Sequence, residues 1–376
     1  MLGLLTRHTV LPTAVEPGTT SLRAVQLRRE GSRYRVHHWL NIEHEPESAT
    51  PAEANHAEQV KLAFGPGAFT GDKASLLIGP PDVEFRMIDV PGAVLKDDKL
   101  DLRSALQFEL DRQMPWPTLE CEVAVWPAQN EAAKKVNTLV AAARSLNVQR
   151  YIDMLDDSSV ACGRADVIPS AMIELRRSVT ASDEQKAATE LWGVLDIGFL
   201  TSRLYMMHRD TPVYARVVRG SGRELTQALC ETLNVEFRIA EQYKRVYGIE
   251  QTDRAHRSMI DGLSRMEESA LPGVLYSILR TLLDTMCDEL ERSFRFALGR
   301  LRGASATTLY LVGGGAKLKG LTQVLSNRLG IDVVLPSADM VFDRMTADSQ
   351  SHPLFSETNF PVLAPCLGMA MSEGNA

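Results

Sequence analysis

No two cysteines in this chain stand at metal-site or redox spacing: Cys121, Cys162, Cys230, Cys287 and Cys366 are scattered without a CxxC. That argues against a zinc site or a disulfide framework and for a reducing compartment. The eight histidines form no HExxH-type pair. No apolar run approaches the ~20 residues that cross a bilayer, and Met1 to Val10 is too short and carries Arg7 and His8, so neither a span nor a signal peptide is expected. There is no Lys/Arg block either. With 48 acidic and 41 basic residues the net charge is −7, which disfavours nucleic acid as a ligand. A heptad run is missing too. The expected place is the cytoplasm. What the chain does have is 376 residues at 44% hydrophobic composition, enough for two domains with substantial cores.

Thr308 to Leu321 (TLYLVGGGAKLKGL) reads as an apolar strand, three glycines and the start of a helix near Lys319. Without Cβ atoms the Gly313-Gly314-Gly315 turn lets backbone approach a ligand, and a helix start offers unpaired N–H groups. The same pattern also occurs in α/β proteins that bind nothing there. Near the start, Ala14 to Leu27 reads as a hairpin whose tip carries Thr19, Thr20 and Ser21, with Glu16 before Gly18 and Arg23 after it. Hydroxyls and backbone N–H groups could cradle phosphate, Arg23 could pair with it, and Glu16 could hold magnesium through water. An ordinary edge hairpin would account for these residues equally well.

The second hairpin changes the argument. Leu191 to Tyr205 repeats the first: apolar strand, acid, one residue, glycine, turn, base, apolar strand, with Asp196-Ile197-Gly198 and Arg203 in the places of Glu16-Pro17-Gly18 and Arg23. Two such hairpins suggest a duplicated fold gripping a nucleotide between facing loops.

Between and after them the chain reads as strands and helices. Arg33 to Asn41, Ala74 to Ile78 and Val83 to Val90 are expected strands, and Glu43 to Glu58 a loop. A helix from about Asp98 to Gln113 carries Leu102, Leu106 and Leu110 on its core face and stops at Met114-Pro115-Trp116-Pro117, with Trp116 packed. Glu122 to Trp126, Asn137 to Ala142 and a helix around Val148 to Leu155 complete a small α+β insert. Further on, Val213 to Val218 is a strand, and Ile239 to Tyr247 a helix with Glu241 and Lys244 on one face, spaced for a surface ion pair or for ligand contact. A long helix from about Pro272 to Leu301 buries Leu275, Leu279, Leu282, Met286, Leu290, Phe294, Leu298 and Leu301 as one stripe.

In order, the Glu16-Pro17-Gly18 hairpin, Asp196-Ile197-Gly198, Ala240 to Arg245 (AEQYKR), Glu291-Arg292-Ser293 and Val312 to Leu321 resemble the motifs of the actin-like superfamily. Within it the chain is similar to the PilM family of type IV pilus assembly and competence proteins, from about Ala14 to Met371, including Phe108-Glu109, Pro115-Trp116-Pro117, Ala141 to Arg144 and Leu363 to Ala370. That resemblance implies an α/β, actin-like fold of two ribonuclease-H-like domains with an inserted small α+β subdomain. The implied division is 1–80 and 163–190 for the first large subdomain, 81–162 for the insert, 191–235 and 304–355 for the second large subdomain, 236–303 for its helical part, and 356–376 as a helix returning to the first.

Carried over by position, Gly18, Thr19, Thr20, Ser21 and Arg23 would form one phosphate loop, and Asp196, Gly198 and Thr201 the other. Gly313, Gly314, Gly315 and Lys317 would line the adenosine, with Glu241 and Lys244 near ribose and base, and Glu16 and Asp196 would hold magnesium through water. The implied cofactors are ATP and magnesium. The implied partner is the cytoplasmic tail of a PilN-like inner-membrane protein in a groove beside the insert, which would tie the chain to the pilus platform at the inner membrane.

Several positions depart from the family pattern. Glu16-Pro17-Gly18 replaces Asp-Ile-Gly, and Arg23 replaces Lys. Phe199 and Leu200 are bulky turn residues, and Ile168 stands where relatives often carry an acid that positions water. These changes weaken hydrolysis more than binding, because hydrolysis needs water, metal and charge stabilisation together. The expectation is a nucleotide-binding scaffold. An active ATPase or phosphotransferase of the same superfamily and an FtsA-like filament protein are the alternatives, the latter disfavoured because Met371 to Ala376 contains no amphipathic helix.

Overall fold

The computed structural model describes residues 9–44, 56–65, 69–91, 102–127, 135–180, 189–250, 270–301 and 303–374. Its first sheet begins as a meander in which β-branched and apolar residues alternate with polar ones. Thr13–Gly18 (β2) pairs antiparallel with Ser21–Glu30 (β3), and β3 with Arg33–Glu43 (β4). Thr9–Val10 (β1) continues the line of β2 along the same edge of β3. Lys73–Ile78 (β5) then runs parallel to β2, and Ala161–Val167 (β9) parallel to β5.

The second sheet repeats this plan. Glu190–Ile197 (β10), Ser202–His208 (β11) and Thr211–Val218 (β12) form the meander, Ser305–Val312 (β13) lies parallel to β10, and Asp332–Val334 (β14) parallel to β13. The orders β4-β3-β2-β5-β9 and β12-β11-β10-β13-β14 are the same order twice. The duplication read from two hairpins therefore extends to five strands in each half.

Each half ends in a helix after its last parallel strand: Ile168–Thr180 (α4) in the first and Phe360–Ser372 (α9) in the second. The two helices pack on one another, and α9 also touches β2, β3 and β5 of one sheet and β13 of the other. Every residue of α9 from Phe360 to Met371 is buried, as an all-round apolar helix requires. Contact with α4 is close at Gly368, where a Cβ would collide with the carbonyl of Ala171. The α9 sequence is thus the shared floor of the two halves.

Between β5 and β9 the chain makes its insert. Val83–Pro91 (β6), Cys121–Pro127 (β7) and Lys135–Arg144 (β8) form an antiparallel sheet in the order β6-β8-β7, flanked by Leu102–Gln113 (α2) and Ser145–Asp156 (α3). It has its own core of Ile88, Val90, Leu106, Leu110, Met114, Cys121, Val140 and Ala142, against which Trp116 packs as expected.

Boundaries differ in small ways from the sequence reading. The polar stretch to Glu58 gives way to helix His56–Ala63 (α1), and its residues 45–55 lie outside the described residues, as do 98–101 before α2 and 181–188 before β10. In the second half Gly222–Leu233 (α5), Phe237–Tyr247 (α6) and Leu271–Arg300 (α7) lie between β12 and β13. On α7 it is Leu283, not Leu282, that joins Leu275, Leu279, Met286, Leu290 and Phe294 in the deep core. The helix after the glycine turn starts at Leu321 (Leu321–Leu329, α8), because Gly314–Lys317 first makes a 3-10 turn.

Candidate functional site

The two hairpin turns and the glycine turn open onto one cleft of about 490 Å³ between the halves. In the first hairpin Gly18 pairs with Ser21, leaving Thr19 and Thr20 as a two-residue tip. In the second, the Gly198 N–H donates to the Thr201 carbonyl at 3.0 Å, leaving Phe199 and Leu200 at the tip. A Cβ on Gly198 would sit 2.9 Å from that same carbonyl, so this turn is closed to larger residues. The second tip is further tied down by α5, whose Gly222 and Arg223 N–H groups donate to the carbonyls of Gly198 and Phe199 at 2.9 Å each. A capping box of Ser221 and Glu224 finishes that helix end. The first helix N–H groups on this side are therefore already engaged by protein.

The glycine turn joins from the end of β13. Gly313 has φ 81° and ψ 178°, a backbone region that is essentially glycine-only. A Cβ there would collide with the Asp196 carboxylate and approach the Ile197 carbonyl to 2.8 Å. One on Gly315 would strike the Ile197 side chain. Gly314 is different. It is exposed on the cleft side, and a Cβ on it would meet nothing within 4 Å. Two of the three glycines thus let β13 close against β10, and the middle one leaves the turn's backbone bare to the cleft.

Charge converges on the cleft floor. Glu16 accepts from Arg23 Nη1 at 2.8 Å, both residues being buried, while Glu16 Oε2 and Arg23 Nε have no partner among the described residues. Burial holds the Glu16 carboxyl above its ordinary range in spite of Arg23. Asp196, from the opposite hairpin, has no hydrogen bond or ion pair to its side chain among the described residues. Burial first, and then the Glu16 charge, push it up to about 7 against the pull of Arg23 and Arg203. Two carboxylates, one from each half, therefore face a common space that favours a proton or a cation over two bare negative charges.

At the other end of the cleft Glu241 and Lys244 form a buried pair, not a surface one. Lys244 Nζ donates to Glu241 Oε2 at 2.6 Å, to Thr226 Oγ1 at 2.6 Å and to the Gly222 carbonyl at 3.0 Å, which takes up all three of its N–H groups. Glu241 also accepts from Thr226 Oγ1 at 2.5 Å and Arg245 Nε at 2.8 Å. Burial opposes its ionisation, but Lys244, Thr226 and Arg245 outweigh it and hold the carboxyl below the usual range. These two residues line the cleft as a fixed wall.

All of Gly18, Thr19, Thr20, Ser21, Arg23, Asp196, Gly198, Thr201, Glu241, Lys244, Gly313, Gly314, Gly315, Lys317 and Glu16 line this one cleft. So do Phe199, Leu200 and Ile168, the last at the head of α4. Sequence reasoning missed Glu43. It ends β4 in the first half and reaches across to Lys317 Nζ at 2.5 Å and Arg245 Nη1 at 3.7 Å in the second. Burial works against its ionisation, yet the hydrogen bond and charge of Lys317, with Asn41 and Arg245, hold its carboxyl low. Glu43 and Lys317 are 274 positions apart, and no local pattern announces such a pair.

Residues 15–253, more than half of the chain, match the family model described as type IV pilus assembly protein PilM. Among solved structures, a chain of a PilM–PilN type IV pilus biogenesis complex is similar with a TM-score of 0.73 and 23% identity over 96% of this chain and 98% of that one. Ethanolamine utilization protein EutJ from Carboxydothermus hydrogenoformans follows at 0.46 and 13%, over 96% and 89%. The activator of the 2-hydroxyisocaproyl-CoA dehydratase from Clostridium difficile, with bound ADPNP, stands at 0.44 and 12%, over 98% and 94%. The first establishes a shared fold along the whole chain; the others are too distant to carry an argument. The fold is the actin-like α/β fold with two sheets and an insert.

Proposed function

The chain belongs to the type IV pilus assembly protein PilM family, and from that membership we propose a nucleotide-responsive scaffold that holds ATP between its two hairpins and a PilN-like tail beside its insert. The observation that carries the nucleotide part is the meeting of both hairpin tips and a bare glycine backbone on one cleft. The residues fit the group. Thr19, Thr20, Ser21 and Thr201 would supply hydroxyls and backbone donors for phosphate oxygens, Gly314 would let a flat base or ribose approach, and Lys317, held by Glu43, would turn its remaining N–H groups to the ligand. Asp196 and the unpartnered Oε2 of Glu16 would hold magnesium through water. A bound magnesium ion would neutralise phosphate charge, while the protein's part is to orient the phosphates between loops that α5 and β13 hold rigid.

Binding is favoured over turnover. Ile168 presents an apolar side chain at the head of α4, and the neighbouring Asp166 carboxylate is engaged by the Arg164 guanidinium and the Val167 N–H, so neither is free to position water. The partner reading rests on the relative solved in complex with PilN and on the insert's surface. Phe108 on α2 is 78% exposed, Leu119 in the 3-10 turn before β7 is 75% exposed, and Leu146 in the first turn of α3 is 68% exposed. Large apolar side chains displayed on one small unit suit an extended peptide read by backbone hydrogen bonds and apolar pockets.

The test is calorimetric titration of the full chain with ATP and magnesium, then with a synthetic peptide of the cytoplasmic tail of the PilN protein from the same organism, each alone and after saturation with the other. Saturable binding of both ligands is expected. A folded protein that ignores ATP sinks the nucleotide reading, and one that ignores the peptide with and without ATP sinks the scaffold reading.

A further inference from the structure

Duplication offers an internal control on the cleft floor. In each hairpin the second strand sets an arginine opposite the acid of the first: Arg23 opposite Glu16, Arg203 opposite Asp196. Equivalent registers should give equivalent pairs. They do not. Arg23 closes on Glu16 at 2.8 Å. The Arg203 side chain, 3% exposed, leaves Asp196 and points to the insert, with Nη2 3.8 Å from Glu84 Oε1 and its guanidinium centre 5.3 Å from the Phe85 ring. Its Nε has no partner among the described residues.

Glu84 and Phe85 open β6, the first strand of the insert. Phe85 also meets Tyr205 of β11 edge-on at 5.3 Å, and β12 lies against all three strands of the insert. A cation that belongs by register to the cleft floor is therefore held by the insert. Asp196 feels Arg23 of the opposite hairpin more strongly than its own strand partner. Glu84 keeps a second cation, Arg86 at 2.9 Å, so losing Arg203 would not leave it bare. A buried guanidinium with one carboxylate 3.8 Å away and a second set opposite it in register has two candidate partners, as a switching element requires.

We propose that Arg203 is a two-position relay between cleft and insert, paired with Glu84 when the cleft is empty and drawn toward the floor when a nucleoside triphosphate brings its negative charge between the hairpins. This rests on the nucleotide reading above. Withdrawal of Arg203 loosens the hold of β11 on β6, so the insert, with whatever peptide it carries, responds to the cleft. By reciprocity, a peptide that fixes the insert changes nucleotide affinity by the same factor.

The test is amide hydrogen exchange in residues 83–91 of the full chain, with and without ATP and magnesium, for the parent, Arg203→Met, Glu84→Gln and Asp196→Asn. In the parent, ATP should speed exchange there about fivefold or more, the low end of ordinary coupling factors. Arg203→Met should exchange fast in either condition. Glu84→Gln should resemble the ATP-loaded parent, and Asp196→Asn, lacking the competing carboxylate, should exchange more slowly than the parent with no nucleotide present. Bound ATP that leaves 83–91 unchanged in the parent, or that acts equally on Arg203→Met, overturns the relay. Absence of ATP binding overturns the nucleotide reading instead. The relay is then decided by Asp196→Asn alone, unchanged exchange refuting it.

Discussion

Substituting the three consecutive glycines one at a time separates folding from ligand access. Gly313→Ala must place an L-residue at φ 81°, ψ 178°, which costs about 1–3 kcal/mol for the backbone alone. Its Cβ also collides with Asp196 and crowds the Ile197 carbonyl. Gly315→Ala overpacks against the Ile197 side chain, whose Cβ would lie 2.7 Å away, at a cost of about 1–3 kcal/mol. A Cβ at position 314 meets nothing within 4 Å, the residue is exposed and no positive φ is needed, so the stability of Gly314→Val should stay within about 0.5 kcal/mol of the parent. Thermal denaturation should therefore rank Gly314→Val with the parent and the other two below it. Calorimetry should rank them differently: Gly314→Val puts three carbons where the ligand approaches and should lose at least tenfold in ATP affinity, about 1.4 kcal/mol. If Gly314→Val bound ATP as the parent does, the bare backbone would not be a ligand surface, and the central argument for the cleft would fail.

Two further perturbations address the charged ends of the cleft. Asp196 is pushed up to about 7 in the fold, so its contribution to stability is present in full below its unfolded range near pH 4 and is lost as pH rises through about 7. Asp196→Asn should accordingly melt above the parent at pH 8, with the difference closing at pH 5, and should bind ATP more weakly at both; a gap of equal size at the two pH values would contradict the buried-carboxylate account. Lys244→Met leaves Glu241 buried with Arg245 and Thr226 only and should cost about 3–5 kcal/mol, read as a lower urea midpoint, with Glu241→Gln in the same chain restoring part of it. Full stability in the single variant would mean that the pair is not the fixed wall described.

Much of this was legible from local pattern. The hairpin tips, the glycine turn and the insert all rest on contiguous residues whose spacing carries the information, and the two-fold repeat of acid, glycine and base gave the duplication. Partner identity was not legible. That Glu241 and Lys244 share Thr226 depends on how two successive helices pack, and that Glu43 crosses to Lys317 and Arg203 lies by Glu84 depends on contacts between segments far apart in sequence. Periodicity also overstated the long-helix stripe: Leu282, Leu298 and Leu301 are only partly buried, and Leu283 takes the deep position. Leu282 and Leu283 differ by 100° around α7, and only the crossing of the neighbouring helices decides which of them faces inward.

Duplication explains the common frame, and its breakdown shows where function has been added. Both halves share strand order, terminal helix and hairpin register, so differences between equivalent positions are not forced by the fold. The first tip carries Thr19 and Thr20, small and hydroxylated, while the second carries Phe199 and Leu200, with Phe199 edge-on to Phe237 at the head of α6. The first tip presents its hydroxyls to the cleft while its Thr20 carbonyl accepts from the His44 N–H, and the other is anchored by packing and by the N–H groups of α5. The insert interrupts only the first half, yet it leans on the second through Phe85 and β12. On the proposed reading, a packed tip, a hydroxyl-bearing tip and a bridge between halves form an arrangement in which closure on a ligand would be felt by the insert. A nucleotide could therefore influence partner binding without hydrolysis, because differential affinity for two arrangements is all that such control requires.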